Sequence, residues 1–330
     1  MQSASDRQLR GFPYMKDGIL IINKPQNWTS HDCVAVCRRA ADRKKTGHGG
    51  TLDPMAEGVL PVFIGKATRI MEYLELDYKT YECRARLGVE TDTQDIWGQI
   101  LRTNDTDGIT ASDVEKTLMK FEGDIEQIPP GYSAVKVNGK KLYEYARAGE
   151  EVRVKPRSVN IEYIKINNID MSAMEVAFEV KCSKGTYIRT ICSDLGRILG
   201  CGGTMVSLKR TASGVFDLSK SLSPDRLKSM NSDEIDEYVI PADVPLVNMG
   251  KLTMNADRTV YFSRGNSIRW YQIHKEYDTP YKGDARNHRG IPYSEMYRVY
   301  QEETGEFLGT GYHDRKNKVL KADKIFVEKR

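Results

Sequence analysis

Apolar residues recur along this chain with two periods, and the changes of period mark out its elements. Residues 18–22 are a continuous apolar run, read as a buried strand. Lys24-Pro25 closes it, because proline has no N–H to give a ladder. Thr29 or Ser30 can cap a helix reaching about Lys44, with Cys33, Val34, Cys37, Ala40 and Ala41 as its inner stripe and Arg38, Arg39 and Arg43 off it. Residues 46–58 form a glycine-rich loop, 59–64 a second buried strand, and 67–74 a helix. From Lys79 to Leu87 the period changes to two. Tyr81, Cys83, Ala85 and Leu87 share one face, with Glu82, Arg84 and Arg86 on the other, so the strand is half-buried with Tyr81 inward.

Further on, Ser112-Asp-Val-Glu115 has the spacing of a capping box for a helix through Phe121. Met174, Val176, Phe178, Val180 and Cys182 alternate as a strand. Ile188, Ile191, Cys192, Leu195 and Leu199 predict a helix stopped by Gly200. Short helices fit 224–238, Pro241 and Pro245 suggest a boundary, and a small, mostly β module follows from about Leu252. Helices and strands alternate irregularly, which predicts an α+β fold on a mixed sheet. Residues 124–152 show no clean period; polar, aromatic and basic residues are mixed there.

Composition narrows the class. The 330 residues allow two or three domains. With 29% charged residues, no apolar run is long enough to cross a bilayer. Residues 1–16 lack the apolar core of a signal peptide. The six cysteines include no C-x-x-C pair. A cytoplasmic protein with reduced thiols and no zinc site is expected. The net charge of +4 is modest, so only its uneven distribution bears on partners.

Chemistry concentrates in Gly47-His48-Gly49-Gly50-Thr51-Leu52-Asp53-Pro54. Glycines permit positive φ and close approach of a ligand, while Pro54 restricts Asp53 to extended geometry. Arg43, Lys44, Lys45, Lys66 and Arg69 lie nearby in sequence, and a carboxylate among cations stays ionised, which suits a nucleophile. A glycine-rich surface turn explains the same residues, and the run alone leaves both readings open. A P-loop is excluded, since Leu60 stands where its first glycine belongs. A hydrolase dyad of His48 and Asp53 lacks a Gly-x-Ser-x-Gly elbow, and the five histidines are too scattered for a metal site. No metal or cofactor is expected.

The run GHGGTLDPMAEGVLPVFIGKATR (47–69) resembles the signature of the TruB family of tRNA pseudouridine synthases. GILIINKPQNW (18–28), KTYECRARLG with TDTQDIWG (79–98), DIEQIPPGYSAVKVNGKKLYEYARAGEEV (124–152) and CSKGTYIRTICSDL (182–195) are similar to its other motifs. Matching blocks cover about residues 18–215. The resemblance implies a tail at 1–17, a catalytic domain at 18–250 with an RNA-gripping insertion at 124–152, and a PUA-like RNA-binding module at 251–330. It implies isomerisation of the T-loop uridine, position 55, of tRNA. Uracil is detached from ribose, turned and rejoined through C5, by attack of the carboxylate on the ribose or by elimination to a glycal. In this numbering Asp53 is the catalytic carboxylate, Arg189 its partner, and Tyr81 the aromatic under the flipped base. Leu208 packs on the uracil, Lys24 supports the loop, His48 enters the T-loop, and Asp95 meets an extruded base. Within the insertion, Tyr132, Lys136, Lys140, Lys141 and Arg147 supply the stacking and charge that RNA loops are held by.

The insertion favours a monomeric enzyme acting on the T-arm of tRNA without guide RNA. A guide-dependent synthase and a tRNA-folding assistant are the rival readings. Two departures stand out from the family pattern: Gly49, where threonine is common, which is expected to loosen the loop, and Glu57, which brings negative charge near the RNA path.

Overall fold

The structure is a computed structural model describing residues 16–328. Fourteen strands precede residue 223: β1 (Gly18–Lys24), β2 (Thr46–His48), β3 (Glu57–Ile64), β4 (Lys79–Leu87), β5 (Val89–Thr91), β6 (Ile100–Thr103), β7 (Gly123–Gln127), β8 (Lys136–Val137), β9 (Lys140–Lys141), β10 (Arg157–Asp170), β11 (Glu175–Cys182), β12 (Gly203–Ser213), β13 (Phe216–Asp217) and β14 (Ser221–Leu222). Ten of them form one mixed sheet in the order β14-β1-β3-β12-β4-β11-β10-β7, with β2 also on β3 and β13 on β12. The expected α+β fold with a mixed sheet is what the chain adopts.

Alternation explains why this sheet is covered on both sides. Leu20, Ile22, Leu60, Val62 and Ile64 point toward helix α1 (Ser30–Ala41) and pack on Cys33, Val34 and Cys37. Ile19, Ile21, Val59 and Phe63 point the other way. A strand buried on both faces reads as a continuous apolar run, as 18–22 does. α1 starts at a full capping box, Thr29 with Asp32, and stops at Asp42, short of the expected Lys44. In the other half of the sheet, Cys83, Ala85, Phe178 and Val180 pack on Val114 and Leu118 of α2 (Ala111–Met119) and Ile188, Ile191 and Leu195 of α4 (Ile188–Leu199). Each of the larger of these side chains (Val, Leu, Ile and Phe) contributes ~1.5–3 kcal/mol on burial. Helix propensities differ by at most ~0.7 kcal/mol among ordinary residues, so packing decides where the helices form. Gly200 ends α4 in left-handed geometry, as expected. The cap of α2 differs: Thr110 pairs with Asp113, two residues before the box expected at Ser112.

The sheet divides at β3. Its β12 partner contacts it only at Glu57 and Gly58, while β2 takes the same edge from Val62 to Ile64. The expected loop 46–58 therefore begins and ends as strand, and residues 49–56 bridge the opening between β2 and β12. Gly58 holds φ at 101°, and a Cβ there would lie 2.1 Å from the Arg210 carbonyl oxygen, so only glycine lets the two strands meet.

β15 (Gly250–Met254), β16 (Ile268–Arg269), β17 (His274–Tyr277), β18 (Met296–Gln301), β19 (Phe307–Asp314) and β20 (Val319–Ile325) form a second sheet, ordered β16-β20-β19-β18-β15-β17. It docks on the expected 67–74 helix, which is a 3-10 run, Gly65–Leu76. Ile70 and Tyr73 share a core with Tyr293 and Met296. Tyr73 bonds Thr310 at 3.1 Å and also Asp323. Lys66 and Arg69 donate to the carbonyls of Phe326 and Ile325. These two cations thus serve the joint between the sheets and do not surround Asp53. Residues 1–15 of the expected tail lie outside the described residues. Asp17, also assigned to it, accepts from the Lys66 N–H at 3.1 Å and faces Arg43 at 3.4 Å.

Candidate active site

The loop carrying Asp53 is fixed residue by residue. The Leu52 N–H donates to Ser30 Oγ at 2.9 Å, and that hydroxyl returns a bond to the Leu52 carbonyl. The Asn27 N–H and the Lys24 ammonium both reach the Pro54 carbonyl, at 2.9 and 3.1 Å. The Gly49 N–H bonds the Pro61 carbonyl at 2.9 Å, and a Cβ on Gly49 would press on the Phe63 ring at 2.9 Å. The glycine expected to loosen the loop therefore lets it sit closely on the core.

Lys24 is fully buried, and its ammonium also donates to the carbonyls of Pro25 and Trp28. Burial lowers its pKa. This lysine braces the loop and does not line the cavity. Lys24→Met would strand the Pro25 and Trp28 carbonyls in an apolar setting, while the Pro54 carbonyl keeps the Asn27 N–H. It is expected to cost ~3 kcal/mol or more, since each unsatisfied buried group costs ~1–3 kcal/mol. Urea unfolding measures this, and an unchanged midpoint would rule the brace out.

Asp53, about one-third exposed, opens into a cavity of about 620 Å³. Arg189, from the first turn of α4, is 5% exposed and places Nε 3.2 Å from Asp53 Oδ2. Its other nitrogens donate to the carbonyls of Thr93 and Tyr132, at 3.3 and 3.1 Å. The α4 start is pinned in turn: the buried Gln127 amide exchanges two bonds with the Tyr187 backbone, and Thr190 bonds Gln94. Tyr81, Leu208 and His48 line the same cavity. Tyr81 and Leu208 are each 8% exposed. Burial pushes the Tyr81 phenol pKa up, with the Arg210 charge the strongest opposing influence. His48 sits edge-on to His31, ring centroids 5.5 Å apart, and its buried Nδ1 has no hydrogen-bond partner. Burial lowers its pKa and favours the neutral ring.

Asp95 departs from expectation. Its side chain is 1% exposed and lies outside the cavity lining. Thr93 Oγ1 and the Trp97 N–H donate to one oxygen, while the other is 3.8 Å from Arg189. A buried carboxylate so placed supports the guanidinium and offers a base no surface. Its pKa is raised by burial.

In the insertion, Asn138 and Gly139 both take positive φ and close a tight hairpin of β8 and β9, followed by α3 (Leu142–Arg147). Tyr132 and Tyr143 reach the cavity. Lys140 lies over the Tyr145 ring, and Lys141 and Arg147 over Tyr143, while Lys136 is exposed. Among the cavity residues not singled out from the sequence are the cations Lys79, Lys184 and Arg210. Lys79 stands two residues before Tyr81 and so on the same strand face, a signal that was available. Arg210 is fully buried, with Nε on the Val59 carbonyl and Nη2 on the Gly50 carbonyl. Among the described residues no three His, Cys, Asp or Glu side chains converge on a metal site, and no helix is long and apolar enough to cross a membrane.

Two adjoining family models match across this site: the N-terminal domain of TruB family pseudouridylate synthases over residues 38–188, and the tRNA pseudouridylate synthase B C-terminal domain over 189–247. A protein of Alkaliphilus oremlandii named tRNA pseudouridine synthase B is 40% identical over 95% of this chain and 99% of its own length. The chain belongs to the TruB family. It is accordingly a pseudouridine synthase, an isomerase. A relative from Gloeothece citriformis with the same name is 41% identical over 89% of this chain and 90% of its own. A solved Cbf5-Nop10-Gar1 complex has a chain with the same fold, TM-score 0.70 at 24% identity, covering 97% of this chain and 89% of that one. The two TruB models meet between Ile188 and Arg189, inside α4, and strands from both sides of that junction belong to one continuous sheet.

Proposed function

We propose that this enzyme isomerises the T-loop uridine, position 55, of tRNA, acting alone on an extruded nucleotide with Asp53 as its catalytic carboxylate. The observation that carries this reading is the Asp53–Arg189 ion pair opening into a cavity shared by Tyr81 and Leu208. Its volume falls within the ~300–1,000 Å³ of small-ligand sites. A uridine stacked in an RNA loop must swing out before its glycosidic bond is reachable, at a cost of a few kcal/mol. In the cavity the base stacks on Tyr81 and packs against Leu208, which offsets part of that cost. Asp53 meets positive charge developing at the ribose, by attack or by assisting elimination. Arg189 fixes the carboxylate's orientation, and Asp95 and the carbonyls of Thr93 and Tyr132 fix Arg189. Neutral His48, at the cavity rim, enters the T-loop.

The insertion supports action without a guide: Tyr132 and Tyr143 face the cavity, and Lys136, Lys140, Lys141 and Arg147 supply charge for the T-arm backbone. The second sheet acts as a PUA-like RNA-binding module. Lys140→Ala with Lys141→Ala should weaken tRNA binding and lower the slope of log affinity against log salt by about one per lysine. Titrations at four salt concentrations read this, and a slope unchanged by the double substitution would remove the clamp.

The deciding experiment incubates one unmodified tRNA with the pure protein, free of guide RNA, added metal and nucleotide, and maps pseudouridine along it. A single product in the T-loop is expected. Product elsewhere, or only after a guide is added, overturns the proposal.

A further inference from the structure

Separating uracil from ribose creates charges of both signs. The C1′–N1 bond breaks with both electrons going to N1, so the base departs as an anion with charge spread over N1 and its carbonyl oxygens. After the ring turns, C5 of that anion bonds C1′, the C5 proton is lost, and N1 takes up a proton. Asp53 serves only the positive partner; its own charge repels the departing base. Arg189 is committed to Asp53 and to two carbonyls. A cation is therefore needed on the base side of the cavity, where it acts in a poorly solvated setting.

One cation there is uncommitted. Lys79 lines the cavity, is 9% exposed, and its ammonium has no hydrogen bond or ion pair among the described residues. It lies on β4 two residues from Tyr81, so both side chains leave the same face. Arg210 sits directly across the ladder from Tyr81, with Nη1 buried and unpartnered. Asp53 and Arg210 both act on the Tyr81 phenol. Lys79 and Arg210 also meet over Gly50, where a Cβ would lie 3.3 Å from Lys79 Cε and 3.6 Å from Arg210 Nη1. Lys79 thus shares a strand face with the stacking ring, while Asp53 has its ion pair with Arg189.

We propose that Lys79 is a catalytic group: its ammonium donates a hydrogen bond to a carbonyl oxygen of the extruded uracil and stabilises the negative charge the base acquires as its glycosidic bond breaks. Arg210 is a positioning residue beside it. This rests on the proposed function. Burial first, and Arg210 second, lower the Lys79 pKa to about 8, so the group is charged below that pH and lost above it.

The test uses the full-length enzyme in single-turnover reactions on two tRNAs, one with uridine at the target and one with 5-fluorouridine, whose more acidic base leaves more readily as an anion. Loss of the target nucleoside is followed after digestion. Lys79→Met is expected to slow the uridine substrate by ~10²-fold or more, and the fluorinated one by at least about tenfold less, with tRNA affinity kept within about threefold. Lys79→Arg should restore part of the rate and move upward the alkaline limb that the parent enzyme shows as pH rises through about 8. Lys79→Gln, which keeps a neutral donor, serves if the methionine variant does not fold. Equal slowing on both substrates overturns the proposal. So does weakened binding with a flatter salt dependence, which identifies a phosphate contact instead. If the parent enzyme itself makes no T-loop product, the proposed function fails, and that outcome is read separately from the variant ratio.

Discussion

Asp53→Asn is expected to lower pseudouridine formation by ~10³-fold or more while changing tRNA affinity by less than tenfold. The amide keeps the shape of the side chain and still accepts a bond from Arg189, but it removes the charge that opposes cation development at the ribose. Stability should hardly change. Asp53 is about one-third exposed, and ion pairs that reach solvent contribute ~1 kcal/mol or less. Single-turnover rates, binding titrations and urea unfolding on the same preparation test all three statements. If affinity fell in step with the rate, Asp53 would belong to the framework of the loop and not to the reaction.

Arg189→Ala should behave oppositely, losing stability and activity together. The guanidinium is 5% exposed, faces two carboxylates and serves two carbonyls. Its removal leaves Asp95 buried without a cation, and breaking a buried pair from one side costs ~3–5 kcal/mol. Arg189→Lys should recover only part of this, because a point charge cannot span the fork of acceptors. An Arg189→Ala enzyme that unfolds at the parent's urea midpoint would show that nothing depends on this network for folding. Compared with Asp53→Asn, the pair of variants separates the charge used in chemistry from the charge used to hold it.

The parts of this architecture readable from sequence were those with an uninterrupted period. The alternation of β4, the apolar run of β1 and the stripe of α4 with Gly200 beyond it all survive in the structure. The strands β10 and β12 escaped notice for a physical reason. Each is interrupted by two register shifts, at Ile161/Tyr163 and Ile166/Asn168 in β10, and at Met205/Ser207 and Arg210/Ala212 in β12. A bulge inserts a residue and resets the alternation. β12 also contains Ser207, Lys209, Arg210 and Thr211, whose polarity breaks up any apolar run. These irregularities accompany the turning of Leu208 and Arg210 into the cavity, so the strand least visible in sequence carries part of the site.

The site itself was legible where glycine and proline restrict the backbone, at 47–54, and where the family motif supplied Arg189. Local sequence misled about charge. Lys66 and Arg69 are close to Asp53 in the chain but serve the second sheet, whereas the cation beside the carboxylate comes from position 189. The family resemblance implies contact of Asp95 with an extruded base, but the depth of its side chain depends on a bridge to Met205, which no local pattern encodes.

The shared packing between the second sheet and the Gly65–Leu76 run bears on how the chain can be cut and recombined. Met71 and Leu74 of that run face the cavity, while Ile70 and Tyr73 are held by Tyr293 and Met296. A chimaera joined at residue 250 would give the catalytic wall a foreign backing. A graft that respects the molecule must exchange 65–76 together with 281–326, treating two distant stretches as one inheritable part.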